Sequence, residues 1–206
     1  MRYVIGTTII NIFQNVWPMV FIFTTIIVSM RVTYLLKHHT TFYLYKDLMI
    51  LGFIIYILCL FHVVTFQDVS WSTSNFIPFR EMFRYEFGTG LFIRNVIGNM
   101  LMFLPFGFFV SYFLQLDKTW MMVLLSLITS TCIETTQLVI GRVFDVDDIM
   151  LNVIGGIAGY LVYRILVSIQ DHLPTVLKKP LFYNIIMVIV LILILSYLYM
   201  IIESGV

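Results

Sequence analysis

The chain reads as an all-α polytopic transmembrane helix bundle of about six spans, with a short interfacial helix in the loop between spans two and three. Three observations predict this. Of the 206 residues, 61% are hydrophobic and only 11% are charged, where soluble domains carry roughly 25% charged residues. The mean hydropathy is +1.00, and six stretches reach the roughly 17–25 apolar residues that a hydrocarbon core demands. Finally, polar residues gather at the ends of three of those stretches, a costly placement beside lipid. The net charge of +1 supplies no basic face for nucleic acid. Cys59 and Cys132 both fall in apolar stretches and read as packing thiols, with no zinc-type spacing.

The spans are expected at about Thr8–Met30, Leu48–Thr65, Asn95–Leu114, Trp120–Ile140, Ile149–Ile169 and Phe182–Ile202, within a single integral membrane domain over 1–206. The first is too long for a signal-peptide core and lacks a small-residue cleavage site. Lys and Arg number seven on the side of the loops after spans one, three and five, and five on the other. That bias, with Arg31 and Lys37 following the first span, puts both termini on the extracytoplasmic side. Whatever the orientation, spans three and five begin on the side where span four ends. Asn95, Asn99, Glu134, Gln137, Asn152 and the Gly141–Asp148 loop therefore share one half of the membrane, together with Asn11, Gln14 and Asn15 of span one.

Span three carries Asn95 and Asn99 four residues apart, on one helix face. Pro105 and Gly107 are expected to bend or break it. On span four, Glu134, Gln137 and Gly141 share a face. Amides so placed serve either interhelical hydrogen bonding or a binding site. Glu134 lies too far from the span's end to be solvated there, so it requires a partner, a water-filled cavity or a bound proton. Arg142 is its expected partner, since a guanidinium forks onto a carboxylate. Between spans four and five, Arg142, Asp145, Asp147 and Asp148 place four charges in seven residues. One acid would suit the helix start. The three together could hold a divalent cation such as Mg²⁺ or Ca²⁺ through oxygen ligands; no other cofactor is indicated. In span five, Gly155 and Gly159 form a small-xxx-small pair that admits a close helix neighbour.

The loop from Phe66 to Arg94 contains Phe79, Met82, Phe83 and Phe87 at helical spacing, with Arg80 and Arg84 four apart on another face. The pattern predicts a helix in the membrane interface, introduced by Asn75-Phe-Ile-Pro-Phe. It reads either as an anchor or as the rim for an anionic or amphiphilic head group. His38, His39, His62 and His172 show no metal spacing, and no nucleophile elbow, Walker loop or dinucleotide fingerprint occurs.

Asn75-Phe-Ile-Pro-Phe, Asn95 and Asn99, Phe103-Leu-Pro-Phe-Gly107, Glu134-Thr-Thr-Gln137, Gly141-Arg-Val-Phe-Asp-Val-Asp-Asp148 and Asn152-Val-Ile-Gly-Gly156 follow one another in an order that resembles the VanZ-like family of bacterial membrane proteins, over a core of about residues 70–165. The resemblance implies a role in resistance of Gram-positive bacteria to teicoplanin, a lipidated glycopeptide acting outside the cell on wall precursors. It implies no established reaction.

Three functions are compatible with these features. A binding protein would take an amphiphile, either a glycopeptide or an isoprenoid-linked wall precursor, beside membrane lipid. Its candidate ligand-binding residues are Asn75, Arg80, Arg84, Asn95, Asn99, Gln137, Arg142 and Asn152. A membrane enzyme acting on a lipid-linked envelope substrate would use Glu134 as general base, Arg142 to stabilise negative charge, and Asp145 in the metal or proton site of Asp145, Asp147 and Asp148. A proton-coupled transporter is weakened by the lack of an evident repeat.

Overall fold

The computed structural model describes residues 2–38, 42–66, 74–80 and 82–203, with side chains omitted for 2–14, Arg94, Leu198 and 201–203. The side chains of Asn11 and Gln14, and His39, lie outside the described residues. Helices α1 (Arg2–His38), α2 (Leu44–Phe66), α3 (Gly90–Leu114), α4 (Thr119–Val139), α5 (Val146–His172) and α6 (Pro180–Glu203) account for the six expected spans. Each is long and apolar enough to cross a membrane. With all backbone groups bonded within a segment, helices solve the problem that lipid offers no hydrogen-bond partners.

The fold divides into two compact units. One comprises Leu60–Ser168; the other comprises Arg2–Cys59 with Ile169–Val206. In the second, Arg31 Nε meets Asp47 at 2.8 Å, and Asn184 Oδ1 accepts from the Tyr45 amide at 3.0 Å. Its helices otherwise present Leu, Ile and Val outward.

The Leu60–Ser168 unit is knit by glycines. A Cβ at Gly107 would overlap the backbone of Gly156, one at Gly155 the Met100 carbonyl, and one at Gly159 the Leu104 carbonyl. Thus α3 and α5 touch backbone to backbone, as the small-xxx-small spacing predicts. Gly156 faces Ser126 of α4 instead. Phe103, Met122, Leu151 and Tyr160 fill the remaining interior.

Two local expectations are corrected. Pro105 does not break α3, which stays helical through it; the irregularity lies upstream, where Ile93–Ile97 form a π-helical turn. The interfacial helix is also absent from the described part of its loop, which runs in turns over 77–80 and 82–85. The reason is visible at Phe79, which adopts a left-handed φ of 67° just after Pro78. A β-carbon makes that conformation unfavourable for helix continuation. The exposed aromatic character survives the correction: Phe76, Phe79, Phe83 and Phe87 are all solvent-facing in the isolated chain.

Candidate functional site: a polar cavity among apolar helices

Helix α4 carries Met122, Ser126, Ser130 and Glu134 at intervals of four, and all four are buried. This stripe faces the interior and delivers one carboxylate, only 2% exposed, to the end of the bundle. There Glu134 lines a cavity of about 60 Å³ with Asn99, Gln137, Arg142, Asp148 and Asn152, closed by Val63, Val64, Met102 and Ile133. One water needs roughly 10–15 Å³ by this measure. The space thus suits a few waters or one small polar group.

The loop after α4 makes the cavity's outer wall. Gly141, at φ 85°, turns the chain out of the helix in a conformation glycine adopts without steric cost. The Asp145 amide then donates to Glu134 Oε2 at 3.0 Å, folding the acidic run back onto α4. Asp145 and Asn75 form a β-bridge; Asn75 donates from its backbone to Phe144 at 2.8 Å and from Nδ2 to Asp145 Oδ1 at 3.0 Å. Asp147, 1% exposed, accepts from the Phe79 amide at 2.5 Å and the Met82 amide at 3.0 Å. These two N–H groups are therefore directed into a carboxylate rather than into a helix, which accounts further for the turns at Phe79 and Met82.

Asp148 points the other way, inward, where its Oδ1 accepts from Asn99 Nδ2. The three acids are thus distributed over separate tasks. Among the described residues, no group of three or more His, Cys, Asp or Glu is placed to hold a metal ion. Backbone and amide N–H groups draw the carboxylates of Asp145, Asp147 and Asp148, the expected cation set, to different partners.

Arg142 also departs from expectation. Its guanidinium donates to the Val64 carbonyl, and no ion pair to Glu134 forms among the described residues. Gln137 Nε2 donates to the same carbonyl at 3.4 Å. Val64 lies in the last turn of α2, where carbonyls have no helical partner, so a cation there satisfies an orphan acceptor and the helix dipole together. Asn152, 1% exposed, donates from Nδ2 to Ser130 Oγ at 2.9 Å.

Of the residues expected at the site, Glu134, Asn99, Gln137, Arg142, Asp148 and Asn152 come together. Asn75, Asp145 and Asp147 stand behind them as struts for the wall. Arg80, Arg84 and Asn95 do not line the cavity. Sequence reasoning missed Ser130 and the end of α2. The interval of four linking Ser126, Ser130 and Glu134 signals the first; a backbone carbonyl leaves no signal at all.

A model of the VanZ/LLP1 family matches residues 53–167, which is more than half of the chain. The chain belongs to the VanZ/LLP1 family. The match begins earlier than the motifs do, and so takes in the end of α2, whose Val63 and Val64 close the cavity. Every cavity-lining residue of this VanZ/LLP1 protein falls within the matched region. No curated protein and no solved structure matches the chain.

Proposed function

We propose that this VanZ/LLP1-family membrane protein contributes to resistance against lipidated glycopeptides such as teicoplanin, by holding the polar part of an amphiphile in the outer half of the cytoplasmic membrane of a Gram-positive cell. The observation that carries the reading is the cavity itself: a small polar space at one end of an apolar bundle, lined by Glu134 of α4 and Asp148 of α5. Buried charges of this kind are expensive and are kept where they serve a ligand. The exposed Phe76, Phe79, Phe83 and Phe87 beside Arg80 supply an interfacial surface for the apolar part of the amphiphile. The cavity volume limits the seated part to a small group, so a whole glycopeptide or wall precursor remains outside it.

A second reading, a membrane enzyme on a lipid-linked envelope substrate, draws support from Glu134 and Asp148 lining the same cavity, since paired carboxylates can divide general-acid and general-base work. Asp145 has no such role in it, because its carboxylate braces Asn75 and the Asp147 amide.

The test is susceptibility of a sensitive Gram-positive host carrying an empty vector, the wild-type chain or Glu134→Gln, at matched membrane levels. The wild-type chain is expected to raise the teicoplanin inhibitory concentration and leave that of vancomycin unchanged, and Glu134→Gln to return it to the vector level. No protection by the wild-type chain removes the resistance reading.

A further inference from the structure

Several side-chain oxygens of the cavity-lining residues have no donor among the described residues. The hydrogen bonds formed there run from Arg142 and Gln137 to the Val64 carbonyl, from Asn99 to Asp148 Oδ1, from Asn152 to Ser130, and from the Asp145 amide to Glu134 Oε2. No described donor is directed to the second oxygens, Glu134 Oε1 and Asp148 Oδ2. Asn152 Oδ1 is buried and has no hydrogen-bond partner. An unmet buried acceptor costs about 1–3 kcal/mol, so this oxygen marks a place where a donor belongs. Glu134, Asp148 and Asn152, which carry these three oxygens, all line one small space.

Charge narrows the donor's identity. Two carboxyl groups and one guanidinium line the cavity; with both carboxyls ionised, the residual negative charge in a low-dielectric interior favours a monovalent cation and opposes a phosphate or carboxylate. A primary ammonium presents three N–H donors and no acceptor, one for each of the three oxygens. An alkali ion shares the charge but not the directional fit. We infer that the cavity seats the primary ammonium tip of an amine ligand on Glu134 Oε1, Asp148 Oδ2 and Asn152 Oδ1. This deepens the proposed function and rests on it for the carrier: the amphiphile it handles bears a primary amine at its polar end.

The experiment is equilibrium binding of radiolabelled methylammonium to the full chain in lipid nanodiscs. Saturable binding of one methylammonium per chain is expected, weakened on the order of tenfold or more in Glu134→Gln and in Asp148→Asn, since each removes a charge-assisted bond. Tetramethylammonium, which has no N–H, should not compete. Absence of saturable binding to the wild-type chain overturns the inference, as does equal binding in both variants when they elute as folded protein. Displacement by sodium or potassium as effective as by unlabelled methylammonium also overturns it, leaving an alkali-ion site. Because the wild-type and competitor measurements need no variant, a misfolded substitution does not shield the inference. Binding without teicoplanin protection would sink the resistance reading and leave the ammonium site standing; protection without binding would do the reverse.

Discussion

Gly155→Ala is expected to lower the stability of the purified protein by about 3 kcal/mol or more, although it adds a single methyl group. Overpacking typically costs about 1–3 kcal/mol where side chains can shift aside. Here the added carbon meets the carbonyl, carbonyl carbon and Cα of Met100, with the last two at 2.9 and 3.0 Å. Backbone within a helix cannot rotate away, so α3 and α5 would have to separate. Separation also displaces Asn99 from Asp148 and opens the cavity wall. A loss of this size is a large fraction of the roughly 5–15 kcal/mol that holds a typical fold. Thermal unfolding in detergent, read against Gly90→Ala, checks it. A Cβ at Gly90 meets nothing within 4 Å, so that control should unfold like the parent. Equal stability of the two variants would show that the helices do not touch as described.

The second large effect concerns Asp147→Ala. Its carboxylate accepts from the amides of Phe79 and Met82, and hydrogen bonds to charged groups contribute about 1.5–3 kcal/mol each. Removing both should free the turn segment from the start of α5 by about 3 kcal/mol or more. When opening is fast relative to cleavage, proteolysis follows the open population, and 1.4 kcal/mol corresponds to a tenfold change. Trypsin is therefore expected to cut after the exposed Arg80 on the order of a hundredfold faster in the variant. Asp147→Asn should fall between, because it keeps one acceptor oxygen and turns an amide donor toward the other N–H. Unchanged cleavage in Asp147→Ala would mean the loop is held by something else.

The spans were legible because uninterrupted apolar length is a one-dimensional property, and Gly155 and Gly159 because helical spacing alone puts them on one face. Co-location of Asn99, Glu134, Gln137 and Asn152 followed from the alternation of helix direction, which requires no coordinates. What stayed hidden was the choice among partners. Arg142 near Glu134 suggests an ion pair from charge alone, yet the guanidinium goes to a carbonyl of α2 that no sequence motif identifies. The acidic run suggested a shared cation for the same reason. Three carboxylates within four residues point in different directions once the chain turns at Gly141 and enters α5, and backbone amides claim two of them. The loop pattern of Phe79, Met82, Phe83 and Phe87 describes side chains only. It is silent on where the backbone N–H groups go, and in this loop they go to Asp147.

The π-helical turn at Ile93–Ile97 has a consequence for tolerance to length change. Its closing bond runs from the Gly98 amide to the Ile93 carbonyl, five residues rather than four, so the helix holds one surplus residue at that point. Deleting one residue there would restore an ordinary α-helical turn. The segment from Gly98 to Leu114 would keep its phase, with Asn99 at the cavity and Gly107 against Gly156. The short Gly90–Phe92 end would keep its phase as well, because the wide turn absorbs the surplus residue without rotating the helix further. The wide turn thus acts as a slip joint: the loop-side end of α3 can gain or lose a residue without transmitting rotation to the part that builds the cavity.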